Sequence, residues 1–316
     1  MFAPSPGRSE DAAPGRQTRC RSPVRPADAC AGARSRAMAF KTISTVVTDP
    51  DSDRAALRAA LSLAESLNAH LDIFCLAADP ARYEPLPAGS ATLLLETSTA
   101  ETRERAKALV RWTEAQLPPG TFKVGVEPIV LPQLGLDGGL GHALRYADLV
   151  LCRRPYGRGA GPIHVQILEA ALFQRGVPVL VLPPQVDNLT APSRIAIAWD
   201  GSDECLATVR QAMPFLQTAE LVNVVMVDPP RTAPDRSDPG GAMAQKLARH
   251  GVHTEVSIIS RTQARVADCL LRHAREHGLQ MIVMGAYGHS RVREALIGGP
   301  TRHMLQDAEL PILMAH

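Results

Sequence analysis

The chain has 316 residues, a formal net charge of +2, 45% hydrophobic residues and only 4% aromatic ones, so it is long enough for two domains, each with a core of Val, Ile, Leu and Ala. Residues 1–37 carry seven arginines against Glu10, Asp11 and Asp28, a local +4, which leaves −2 for the rest and argues against a basic nucleic-acid-binding face there. No run approaches the roughly eighteen apolar residues of a membrane helix, and the six cysteines fall in no paired or metal-ligand spacing, which fits reduced thiols of a cytoplasmic protein.

Residues 1–37 are rich in Pro, Gly, Ala, Ser and Arg without periodicity, which predicts a disordered tail. A transit peptide is the rival reading, opposed by the repeated prolines. Met38, directly before the strand-like FKTISTVV, is also a candidate initiation site, in which case the tail is not translated.

From Phe40 the pattern alternates between apolar runs and helical periodicity. Strands are expected at 42–47, 71–76, 122–130, 148–152 and 178–182, with helices near 52–68, 93–117, 138–147 and 162–175. Strands at 194–199, 219–227, 253–259, 280–284 and 311–315 then alternate with helices near 202–216, 240–250, 264–277 and 298–307. Alternation of this kind gives βαβ units and a parallel sheet. The two series match element for element, so the chain reads as two tandem α/β domains, 38–184 and 193–316, each doubly wound around a five-stranded, mostly parallel sheet. Pro183, Pro184 and Pro192 bracket a short linker between them.

The stretch MGAYGHSRVREALIGGPTRHML follows the strand MIVM and leads into a helix. Gly285, Gly288 and Gly298, with Gly299 beside the third, permit close backbone approach or positive φ after a parallel strand. The N-H groups of the next helix, near Gly298 to Thr301, can face an anion, Thr301 adds a hydroxyl, and His289, Arg291 and Arg293 bring cationic groups to the same segment. Read structurally, the glycines build only a strand-to-helix turn. In IAIAWDGSDEC, Asp200 ends a strand and Ser202 begins a helix; local capping is one reading of the pair, a ligand contact by Asp200 the other.

The spacing Gly285, two residues, Gly288, nine residues, Gly298 resembles the ATP-binding loop of the universal stress protein family. That resemblance implies an adenine-nucleotide-alpha-hydrolase-like fold, ATP with or without Mg as ligand, and a stress-response role, with slow ATP hydrolysis or a nucleotide-free scaffold as alternatives. It further implies that Asp200 reaches the nucleoside and that Met226 or Val227 lines the adenine slot. Family members carry a small hydroxyl residue where this chain has Gly299, so Gly299→Ser suggests itself as a way to complete the pattern. Domains of the family commonly associate through their last strands, here VPVLVLP and LPILMAH; the expectation is a pseudo-dimer within one chain, compatible with further homodimerisation.

The first half reads as the same fold with its site degraded. Asp49 stands where Asp200 does, Arg154 takes the place of the first glycine, and Gly157 and Gly161 lie too close together to cup a triphosphate. Arg153, Arg154 and Arg158 make a basic loop, read as solvated. His273 and His277, four apart on a predicted helix, have metal-compatible spacing, but the alternating charge of RHAREHG favours a solvated face. No catalytic residue and no metal site is assigned.

Overall fold

In the computed structural model of the chain the described residues are 39–79, 90–120, 123–157, 159–174, 176–229, 238–286 and 299–316. The tail at 1–37, Arg158 and most of the glycine-rich loop, including Gly288, His289, Arg291, Arg293 and Gly298, lie outside them.

The first half runs β1 (Thr42–Val47), α1 (Pro50–Leu67), β2 (His70–Asp79), α2 (Ser90–Glu114), β3 (Val124–Pro132), α3 (Leu136–Leu144), β4 (Leu149–Arg153), α4 (Pro162–Glu169) and β5 (Val179–Leu182). The second runs β6 (Arg194–Ala198), α5 (Asp203–Gln211), α6 (Met213–Leu216), β7 (Leu221–Val227), α7 (Gly241–Arg249), β8 (Thr254–Ile259), α8 (Val266–Glu276), β9 (Met281–Gly285), α9 (Pro300–Asp307) and β10 (Ile312–Ala315). The expected helix at 202–216 is two helices, because Pro214 in the first turn of α6 brings no N-H and its ring crowds the preceding turn. A single π-helical turn, Ala170–Gln174, continues α4.

Local chemistry explains the helix starts. Asp49 caps α1 by accepting from the N-H groups of Asp51 (3.1 Å) and Ser52 (2.9 Å), and Ser202 caps α5 by accepting from Cys205 N (3.1 Å). The strands that lie centrally read as unbroken apolar runs because helices cover both faces: β4 and β5 are buried throughout. The outermost strands β3 and β8 have no buried residue and are half-buried or exposed throughout.

Residues 38–316 form one compact unit around a ten-stranded sheet ordered β3-β2-β1-β4-β5-β10-β9-β6-β7-β8. The pairs within each half are parallel, whereas β5 and β10 pair antiparallel with Val179, Leu180 and Val181 opposite Met314, Leu313 and Ile312. One apolar cluster fills each side of the sheet, and both clusters draw on both halves; Leu180 and Leu313 join the cluster that holds Leu57 and Phe215, while Val181 and Met314 join the other. The segment between the halves is tied down as well, Leu189 N donating to Ser62 Oγ at 2.9 Å and Gln185 Nε2 to the Glu309 carbonyl at 3.0 Å.

The junction supplies a test of how far the halves fold together. Leu180 and Leu313 are both fully buried, so Leu313→Ala is expected to cost about 2–5 kcal/mol through lost transfer energy and a residual cavity. Denaturant unfolding followed by circular dichroism should show one transition at a lower midpoint; a second-half transition that moves while a first-half transition stays put would show the halves to be independent.

Candidate functional site

Chain reversal of the sheet order marks the site. In the second half the chain proceeds from β6 to β7 and β8 on one side and returns to β9 on the other, so a switch point lies between β6 and β9, which are paired at Ala198 and Met284. Ligands of open α/β sheets bind outside the carboxyl ends of the strands at such a point. Asp200, Gly285 and Ala286 all stand there, directly beyond or at the ends of β6 and β9.

Gly285 is there for lack of a side chain. A Cβ on it would lie 2.6 Å from the backbone nitrogen of Cys205 and 3.1 Å from Cys205 Cα, so β9 passes against the first turn of α5 at a distance that only glycine allows. Cys205 is fully buried beneath that crossing, and burial, with Asp200 adding like charge, pushes its thiol up to about 12, which leaves it protonated and unreactive. Asp200 is exposed. Its Oδ1 accepts from Ser202 N at 2.9 Å and from Ser202 Oγ at 2.6 Å, so the carboxylate orients the capping hydroxyl of α5. Both readings of this pair are therefore compatible with the geometry: Ser202 caps, and Asp200 faces solvent at the switch point.

Met226 is 7% exposed near the end of β7, and the Cβ position of Gly240 lies 3.3 Å from its sulfur; Val227, the last residue of the strand, is half-buried. Asp228 follows with φ 43°, a left-handed conformation that Asp tolerates better than most side chains. On the far side of the glycine-rich loop, Pro300 opens α9 and Thr301 is its half-buried second residue. Gly299 precedes them as N-cap with φ 126° and ψ 175°. That region is open to glycine and almost nothing else. Among the described residues a Cβ at 299 would meet no atom within 4 Å, so the obstacle to a hydroxyl residue there is backbone strain.

In the first half the apolar faces shift two sequence-based equivalences by one residue. Ile43 and Ile195 join one cluster and Val150 and Ile282 the other, and β4 ends at Arg153 as β9 ends at Gly285. Arg153, not Arg154, therefore takes the place of Gly285, and, because Ser44 pairs with Val150 as Ala196 does with Ile282, Thr48, not Asp49, that of Asp200. The sequence match followed the conspicuous Asp and the Tyr-Gly pair, whereas the loops differ in length. Nor is the loop simply solvated: Arg153 is 9% exposed and its Nη1 donates to the Gly159 carbonyl at 2.6 Å. Arg154 Nη1 donates to the Ala308 carbonyl at 3.2 Å, at the carboxyl end of α9, where a cation suits the helix dipole.

Beneath that loop lies a buried pair that the sequence did not announce. Asp53, 2% exposed, accepts from Thr48 N at 2.7 Å, Thr48 Oγ1 at 2.8 Å and Asp49 N at 3.1 Å, and His164 Nε2 lies 3.5 Å from its Oδ1. His164 in turn accepts at Nδ1 from Gly161 N at 3.0 Å, fixing the first turn of α4. Burial alone would raise the Asp53 pKa, but the hydrogen bonds from His164 and Thr48 outweigh it and hold the carboxyl below the usual value. No local pattern signals a partner 111 residues away.

His273 is likewise placed otherwise than expected. It is 6% exposed, not solvated, because Asn223 in the buried middle of β7 needs a partner for its amide oxygen, which lies 3.0 Å from His273 Nε2. His277 stacks on it at 4.0 Å. Burial and the neighbouring His277 lower the His273 pKa, which fits a neutral ring.

Three variants test this geometry. Gly285→Ala should destabilise the protein by about 1–3 kcal/mol, because the methyl meets backbone that cannot give way, and Gly299→Ser should cost about 1–3 kcal/mol through its φ; thermal melts of both variants check this, and an unchanged midpoint in either refutes the corresponding geometry. For Asp53 the lowered pKa means a contribution to stability present above the unfolded value near ~3.9 and lost as pH falls through the folded value. Asp53→Asn is expected to be about 1–3 kcal/mol less stable than the parent at pH 7, with the two urea-unfolding curves converging below about pH 4.

The sequence profile of the universal stress protein family matches residues 192–316. Universal stress protein Slr1230 of Synechocystis is 26% identical over 141 residues, 43% of this chain and 46% of the relative, so the match spans about half of that protein's length. Among solved structures, a universal stress protein from Archaeoglobus fulgidus covers 88% of this chain and 97% of its own at 15% identity with a TM-score of 0.63. A putative universal stress protein from Pseudomonas aeruginosa covers 88% and 93% at 14% identity with a TM-score of 0.52. At such identities the structures speak for the fold alone, the doubly wound α/β arrangement. Profile, relative and fold agree: residues 192–316 match the universal stress protein family, and the doubly wound fold is the one its solved members show.

Proposed function

We propose that the chain is a stress-response protein that binds an adenine nucleotide, ATP with or without Mg2+, in its second half, and that residues 38–184 and 193–316 act as two domains of an intramolecular pseudo-dimer. The observation that carries the nucleotide reading is Gly285, which leaves the end of β9 without a side chain at the switch point, where the start of α5 comes close. Gly288, Gly298 and Gly299 would supply backbone N-H groups to the phosphates, with Thr301 and the first turn of α9 behind them. His289 would add charge, Asp200 would accept from the nucleoside, and Met226 or Val227 would flank the base. The pseudo-dimer reading is supported by the antiparallel pairing of β5 with β10.

A cytoplasmic setting belongs to the same proposal. The four described cysteines, Cys75, Cys152, Cys205 and Cys269, are free and buried, and among the described residues no helix is long and apolar enough to cross a membrane. A second reading, a nucleotide-free scaffold, is favoured by one feature: position 299 offers no hydroxyl and its backbone conformation discourages one.

Mass spectrometry of small molecules released from protein purified without added nucleotide separates the two. The expected result is one adenine nucleotide per chain, and calorimetric titration with ATP should give binding that Gly288→Val weakens at least about tenfold through lost backbone hydrogen bonds and steric exclusion, with the ligand-free melting temperature nearly unchanged. No released nucleotide and no heat at millimolar ATP would leave the scaffold reading standing.

A further inference from the structure

We propose that the first half carries a separate binding site for one small, monatomic anion of halide size, in the small cavity between the start of α1 and the end of β4. The cavity measures about 10 Å³ and is bounded by Ser52, Arg153, Arg154 and Tyr156 on its polar side and by apolar residues of α1 and of the segment that ends β5. That volume suits one small occupant.

Two polar atoms on its wall, Ser52 Oγ and Arg154 Nε, are buried from solvent and have no hydrogen-bond partner among the described residues. An unpaired buried polar group is costly, and two of them beside one cavity are explained by one occupant that both contact. Its chemistry follows from theirs. Arg154 Nε is a donor only, and the serine hydroxyl can donate as well. No carboxylate lines the cavity, two guanidinium groups do, and the remaining wall is apolar, which strengthens attraction for a negative charge. An acceptor-only anion satisfies both donors and brings a negative charge to the Arg154 guanidinium, which a water does not.

The site does not depend on the nucleotide reading. Antiparallel pairing of β5 and β10 turns the carboxyl edges of the two halves in opposite directions, so the cavity and the end of β9 at Gly285 lie on opposite edges of the sheet. It also has a structural consequence. Arg154 holds the last turn of α9 through Nη1, so an anion bound at its Nε would fasten α1 of the first half to α9 of the second through one guanidinium.

The test uses the full chain at constant ionic strength in sodium chloride, sodium bromide and sodium gluconate. The melting temperature is expected to be a few degrees higher in either halide than in gluconate and to saturate with halide concentration. Ser52→Ala removes one donor without touching the cap of α1, which uses the Ser52 backbone N-H; it should melt close to the parent in gluconate and raise the half-saturating halide concentration about tenfold. Crystals grown in bromide should show an anomalous peak within hydrogen-bonding distance of both Ser52 Oγ and Arg154 Nε. Equal melting temperatures in all three salts, an unchanged halide response in Ser52→Ala, or density there without anomalous signal, an ordinary buried water, would each overturn the proposal.

Discussion

Antiparallel pairing of β5 with β10 is the constraint on which the rest depends. Each half alone is a five-stranded sheet whose last strand is short, apolar on both faces and unpaired along one side, an arrangement prone to association. Joining the two edges buries both and lets the apolar clusters run across the junction on either side of the sheet. It also fixes handedness of use: because every other pairing is parallel, one antiparallel contact is enough to send the two carboxyl edges to opposite ends of the molecule.

Seen from that junction, the halves differ in what occupies the level just past the fourth strand. In the second half Gly285 admits the start of α5 and leaves the crevice without side chain. In the first half the corresponding Arg153 fills it and bonds the following loop, while its neighbour Arg154 crosses to α9. Tyr156 adds to the same contact, with the Arg302 guanidinium 5.3 Å from its ring centroid. Loop residues of the first half thus serve here as contacts to the second.

The fold was legible because it rests on periodicity. Each of the ten apolar runs is a strand, and the helices fall between them; only the break at Pro214 and the π-helical turn after Glu169 depart from the expected pattern. Local features of the site were legible too, since capping by Asp49 and Ser202 is written in adjacent residues. What could not be read is what depends on pairing at a distance. The one-residue shift that makes Arg153 the counterpart of Gly285 follows from which face of the sheet each strand residue takes, and the burial of His273 follows from Asn223, fifty residues away. Position 299 shows a further limit: the sequence shows a missing hydroxyl, whereas the backbone angle that makes glycine the fitting residue belongs to the folded loop.

That angle bears on how the loop can change over time. At φ 126° a serine or threonine is disfavoured before it can make any new contact, so a single substitution at this codon would first lose stability and only afterwards find a benefit. A path to a hydroxyl-bearing loop must therefore pass through neighbouring changes that return residue 299 to negative φ, and the order of those steps is dictated by the backbone. Glycine at this position acts as a ratchet: easily entered while the loop is reshaped, and hard to leave by one mutation.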